Sequence, residues 1–372
     1  MRPDLQSLMH SATALVRSGK LRDATAAIQA ALRQSTPGTT PAQDAERARH
    51  DDVLDVEARE LPSSQPPPQH APAADPATPH QPATPVSPTP PTGKGTFTAG
   101  HYADGKTARD YKLYVPPQAG DQPLPLIVML HGCTQDPDDF AAGTHMNEVA
   151  RNAGCFVLYP AQSGQANPQR CWNWFKHSHQ QRGRGEPALL AGMTRDVMAK
   201  HRIDPARVYV AGLSAGGAMA AILGDTYPDL YAAVGVHSGL ASGAAQDLPS
   251  ALAAMRSGAA AASSTQPPAP TIVFHGDADA TVHPDNGRHV ISASAGGADG
   301  APQVDRQRGA SGRSYTLSVH RAPDGAVLAE HWVVHGSGHA WSGGSSAGSY
   351  TDPAGPDASA QMLRFFLEHP KR

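Results

Sequence analysis

Val208-Tyr209-Val210-Ala211 runs directly into Gly212-Leu213-Ser214-Ala215-Gly216-Gly217-Ala218-Met219, and this junction decides the fold. The first four residues read as a strand apolar on both faces, and the Ala-, Met- and Leu-rich stretch 215–226 reads as a helix. A serine in G-x-S-x-G at such a junction sits on a sharp turn that strains its backbone and leaves no space for a side chain on either flank. The turn presents the hydroxyl at the strand's carboxyl end. Behind it, the free N–H groups and positive dipole of the helix start favour a developing oxyanion. Ser214 is therefore the expected nucleophile.

Working outward, residues 112–115, 126–130, 156–159, 234–237 and 271–274 read as further strands, several of them apolar throughout. Helix-like stretches at 188–200 and 215–226 lie between them. Alternation of this kind predicts an α/β doubly wound, mostly parallel sheet. Segments 315–322 and 326–334 flank Pro323-Asp324-Gly325, a turn that predicts an antiparallel hairpin added to the sheet. Asp357 is placed to cap a last helix, 358–368.

A nucleophilic serine needs a base and a group to orient it, in the chain order Ser…Asp…His on this kind of sheet. The strand 271–274 ends in His275-Gly276-Asp277-Ala278-Asp279, where Asp279, three residues past the turn glycine, can reach back over the sheet edge. Asp279 is the expected acid and Asp277 a brace for the loop. After the last strand comes His335-Gly336-Ser337-Gly338-His339-Ala340-Trp341, and the glycine-flanked His339 is the expected base; position, not residue type, separates it from the other histidines among 19. The oxyanion donors are expected from the amides of Ala215, after the nucleophile, and Cys133, in the turn Leu130-His131-Gly132-Cys133-Thr134-Gln135.

Composition bounds the alternatives. The 372 residues are 39 % hydrophobic, enough for a core, and 30 basic against 33 acidic residues leave a net charge of −3 with no basic stripe, which argues against nucleic-acid binding. No apolar run is long enough to span a membrane. Three cysteines are too few for a zinc cluster or a disulfide scaffold. Cys155, in an apolar run, reads as a small buried hydrophobe, so that a single bridge, if present, joins Cys133 to Cys171; whether it forms depends on an oxidising compartment. No cofactor and no metal is expected.

The N-terminal part has a different character. Leu5, Leu8, Met9, Ala12, Leu15 and Val16 recur at helical spacing, break at Ser18-Gly19-Lys20, and resume with Leu21, Ala24, Ile28 and Leu32. This predicts a helical hairpin within residues 1–60. From Pro62 to Pro91, 12 of 30 residues are proline, which predicts an extended linker over 61–95 ahead of a catalytic domain over 96–372. The hairpin is suited to docking on a protein or a polymer granule. The start of the chain lacks the apolar core of a secretory signal, so the default expectation is cytoplasmic.

Taken together, His131-Gly132-Cys133-Thr134-Gln135, Tyr159-Pro160, Cys171-Trp172-Asn173-Trp174-Phe175, the Ser214 motif, His237-Ser238-Gly239, His275-Gly276-Asp277-Ala278-Asp279 and Gly338-His339-Ala340-Trp341 resemble the esterases of the polyhydroxybutyrate depolymerase family, which includes feruloyl and acetyl xylan esterase relatives. The resemblance implies an α/β-hydrolase fold and a metal-free Ser-His-Asp esterase, with Ser214, Asp279 and His339 at the matching positions and Cys133 at the oxyanion turn. It implies hydroxyalkanoate esters or polyesters as substrates, with feruloyl or acetyl xylan esters as the alternative, and it allows an extracellular location. A non-catalytic binding protein on a hydrolase fold is the rival of another class. Trp172, Trp174 and Trp341, clustered near the site segments of an aromatic-poor chain, are expected as substrate-facing walls.

Overall fold

The computed structural model describes residues 93–371 apart from 106, 121, 260–267 and 310. The expected hairpin and nearly all of the proline-rich segment lie outside the described residues.

The sheet is built on strands whose side chains serve two cores at once. In β3 (Leu124–Leu130), Leu126, Val128 and Leu130 face one apolar cluster while Ile127 and Met129 face the other. In β5 (Ile203–Leu213), Val208 and Val210 divide from Tyr209, Ala211 and Leu213 in the same way. Strand alternation with both faces covered explains why these runs are apolar throughout. With β4 (Phe156–Pro160), β6 (Ala233–His237), β7 (Thr271–Gly276) and β10 (Val327–Val334) they form a parallel core in the order β4-β3-β5-β6-β7-β10. Antiparallel strands extend it on both sides. β2 (Ala108–Val115) and β1 (Thr96–Ala103) lie beyond β4, and β9 (Ser314–Arg321) and β8 (Gln303–Arg308) beyond β10.

One face carries α3 (Gly185–Lys200), α4 (Ala215–Thr226), α5 (Leu248–Ser257) and α6 (Asp285–Ser294). The other carries α1 (Pro137–Thr144), α2 (Met146–Ala153) and α7 (Ala358–Glu368). Helices on both faces of a mixed, mostly parallel sheet make this an α/β-hydrolase fold. Asp357 caps α7 by accepting from the amide of Ala360, and Asp136 caps α1 through the amide of Asp139 with Pro137 in the first turn. Two short strands, β11 (Trp341–Ser342) and β12 (Thr351–Asp352), pair beside the main sheet. None of the helices among the described residues is long and apolar enough to cross a membrane.

Rings from adjacent strands stack across the α7 side of the sheet. Tyr315, Trp332, Phe274, His237 and Trp341 follow one another at centroid separations of 4.9, 5.1, 5.7 and 5.0 Å, and Phe140 meets Trp341 edge-on at 5.5 Å. This ladder ties β9, β10, β7 and β6 to the segment carrying His339.

Candidate active site

At the β5–α4 junction Ser214 has φ 57° and ψ −118°, a backbone region costly for a residue with a side chain. Its amide donates to the carbonyl of His237, 2.9 Å away, and its carbonyl accepts from Ala218. The flanking glycines are sterically required. A Cβ on Gly216 would lie 2.0 Å from the Leu130 carbonyl oxygen, and one on Gly212 would lie 2.4 Å from the Gly216 carbonyl carbon. The helix start is thereby pressed against the end of β3, which brings the Gly132-Cys133 turn to Ser214: a Cβ on Gly132 would sit 3.7 Å from that of Ser214.

His339 Nδ1 lies 2.7 Å from Asp279 Oδ2. The other carboxylate oxygen accepts the amides of Thr281 and Val282 at 2.8 and 2.9 Å, and the Asp279 side chain is fully buried. Burial opposes its charge, but hydrogen bonds from His275 and His339 and from the Val282 amide hold the carboxyl well below the usual range. Asp277 is engaged elsewhere. Its two oxygens take His335 Nδ1 at 2.8 Å and the Gly336 amide at 2.7 Å, pinning the turn that leads to His339. The β7 end packs directly on that loop, since a Cβ on Gly276 would meet the Ser337 carbonyl oxygen at 2.2 Å.

Among the described residues no backbone carbonyl outside the regular elements accepts from the amides of Cys133 and Ala215. The turn carrying Cys133 is held from every side. Gln135 Oε1 accepts the Gly132 amide at 2.9 Å, and Trp172 Nε1 donates to the His131 carbonyl at 3.1 Å. Buried His131 bonds the Gly132 carbonyl through Nδ1 and accepts the Gln162 amide at Nε2; burial pushes its pKa down to about 4, so the ring is a neutral strut. Cys133 and Cys171 form a disulfide. The Cys171 segment is itself anchored on buried Glu186, which accepts from Gln162 and from the Asn173 amide and side chain.

Sequence reasoning missed these struts, and also the part played by His237. Its carbonyl takes the Ser214 amide while its Nε2 accepts the Ser342 amide at 2.9 Å, so one buried residue fastens both the Ser214 turn and the His339 segment. Burial holds its ring neutral, as an acceptor must be. The three tryptophans require a correction. Trp172, Trp174 and Trp341 are 0 %, 5 % and 1 % exposed; their rings pack in the cores as supports, because each sits on the inward side of its segment. Cys155 is buried, as a small hydrophobe would be, and its thiol is pushed up to about 12.

Fold, elbow serine and the Asp279–His339 pair define an α/β-hydrolase. Residues 109–296, half of the chain, match the family model described as Esterase PHB depolymerase, and the chain belongs to that family. The matched stretch includes Ser214 and Asp279 and ends before His339. Poly(3-hydroxyalkanoate) depolymerase C of Paucimonas lemoignei is 32 % identical over 230 residues, covering 58 % of this chain and 54 % of the relative. Feruloyl esterase B of Thermothelomyces thermophilus is 34 % identical over 151 residues, 40 % of this chain and 50 % of that one. The chain thus spans about half the length of the curated relatives it matches. An acetyl xylan esterase from Aspergillus awamori has the same fold, with a TM-score of 0.58 at 20 % identity over 73 % of this chain and 99 % of its own.

Proposed function

We propose that the chain is a serine carboxylic-ester hydrolase whose substrates are oligomeric or polymeric hydroxyalkanoate esters. The observation that carries this reading is Ser214 held in strained backbone at the start of α4 while buried Asp279, its carboxyl held well below the usual range, grips His339. Backbone strain at this half-buried serine is the kind of feature that clusters at functional sites, which weighs against a binding protein on an inactive scaffold.

In the proposed mechanism Asp279 fixes His339 with its proton on Nδ1 and balances the imidazolium that forms. Nε2 takes the Ser214 proton as Oγ attacks the ester carbonyl. The amides of Cys133 and Ala215 receive the oxyanion, the alcohol leaves with the proton from His339, and water then releases the acid by the same steps in reverse. The names of the relatives favour hydroxyalkanoates first and feruloyl esters second. The test is a fluorophosphonate probe combined with a panel of 3-hydroxybutyrate oligomers, methyl ferulate and acetylated xylan. Labelling lost in Ser214→Ala, with turnover highest on the oligomers, is expected. An intact, unlabelled protein would overturn the enzyme reading, and preference for methyl ferulate would overturn the substrate.

A further inference from the structure

With Trp172, Trp174 and Trp341 buried, a different aromatic residue lies open to solvent near the Cys133 turn and the His339 segment. Tyr350 is 46 % exposed, one of the few large apolar side chains left open to solvent among the described residues. Its position is defined at both ends. The Tyr350 carbonyl accepts the Trp341 amide at 2.7 Å, two residues beyond His339, and its hydroxyl lies 3.3 Å from Thr134 Oγ1, one residue beyond Cys133. The ring therefore bridges the base segment and the oxyanion turn.

The chain works to hold it there. Tyr350 has φ 52°, a left-handed conformation that a bulky aromatic rarely adopts. The residue before it is bolted down: Asp139 accepts both the amide and the hydroxyl of Ser349 at 2.8 and 2.6 Å, and Gln135 Nε2 donates to the Ser349 carbonyl. Gln135 also holds the Gly132 amide, so the ring and the oxyanion turn share a support. Strained backbone, dedicated anchoring and an uncovered ring between the Thr134 and Trp341 segments suit a contact surface rather than a packing residue.

We propose that Tyr350 is the aromatic wall of the substrate cleft, packing against the hydroxyacyl units that flank the scissile ester and favouring extended, flexible ester chains over small esters. The proposal rests on the ester-hydrolase reading above. A single ring face withdrawn from water with its ligand accounts for discrimination on the order of tenfold.

The experiment compares the full chain with Tyr350→Asn, which tolerates positive φ, and Tyr350→Phe, which keeps the ring. The substrates are a 3-hydroxybutyrate trimer and p-nitrophenyl acetate, with active sites counted by fluorophosphonate. For Tyr350→Asn, kcat/KM on the trimer should fall about tenfold or more, mainly through KM, and on the acetate about threefold at most. Tyr350→Phe should remain within about twofold of the parent on both. Equal losses on both substrates, or no loss on the trimer, would overturn the assignment while leaving the hydrolase reading intact. A parent chain that neither labels nor turns over either ester would remove the hydrolase reading and this assignment with it.

Discussion

Asp279 grips His339 at 2.7 Å through one carboxylate oxygen while the other is saturated by the amides of Thr281 and Val282. A carboxylate fixed at both oxygens cannot rotate, so the imidazole it holds is fixed as well. Asp277, two residues earlier, shares the loop but grips His335 and Gly336 instead.

The two aspartates should therefore separate cleanly on mutation. Asp279→Asn is expected to lower kcat by about 10²–10⁴ through the wrong His339 tautomer, with KM little changed. Asp277→Asn, which weakens a brace, should cost no more than about tenfold and should lower thermal stability. Steady-state kinetics on a p-nitrophenyl ester checks both. A larger kinetic loss from the Asp277 variant would assign the acid wrongly.

Ser214 stores strain that can be read independently of activity. Its positive φ is relieved by glycine but not by alanine, so Ser214→Gly should be more stable than Ser214→Ala by roughly 1 kcal/mol even after the entropy cost of glycine in the unfolded chain. Both variants should be inactive. Urea unfolding of the pair measures the difference, and alanine equal to or better than glycine would mean the elbow is not strained.

What could be anticipated from sequence was local. Gly212 and Gly216 flank a serine between a strand and a helix because backbone must touch backbone there, and the motif records that requirement directly. α4 and α7 were legible from composition and the Asp357 cap. β8 was not, because all six residues are exposed and only pairing with β9 holds them in a strand. α1, α2, α5 and α6 escaped notice as short helices of eight to ten residues with narrow apolar faces. His237 and Tyr350 depend on partners 105 and 216 residues away, which no local pattern announces. The tryptophans misled for the same reason: a motif fixes which residues are present, not which way their rings point.

The disulfide joins the Cys133 turn to the Trp172 segment across a sequence separation of 38 residues. Closing a loop of that length stabilises a chain by about 3–4 kcal/mol in the entropic picture. Cys171→Ser is expected to lower stability by an amount of that order and to reduce kcat, because the proposed mechanism uses the Cys133 amide as an oxyanion donor. Thiol titration of the denatured, unreduced chain should count one thiol, from Cys155. Three thiols, or a Cys171 variant with unaltered kcat, would show that the bridge does not position the turn.

Acid should destabilise the fold before it reaches any carboxylate. Burial pushes His131 down to about 4 and His331 down to about 3, and holds His237 well below its ordinary value; His275, Arg288 and His320 add to the effect at His331. In the unfolded chain each of these rings takes up a proton near pH 6.5, whereas in the folded protein each stays neutral. The unfolded state thus binds more protons as pH falls below about 6.5, and stability drops with pH until the folded-state values are reached. The slope approaches roughly 1.4 kcal/mol per pH unit for each ring well inside this window. Asp279, whose carboxyl is depressed, contributes in the same direction only below the unfolded carboxylate value near 3.9. His331 isolates the effect, because its buried Nε2 has no hydrogen-bond partner and little is lost when the ring is replaced. His331→Leu should therefore flatten the pH dependence of unfolding free energy between pH 6 and about 4 while leaving stability at pH 8 within about 1.5 kcal/mol of the parent. Denaturant unfolding at stepped pH reads both quantities, and a slope unchanged in the variant would show that His331 does not stay neutral in the folded protein.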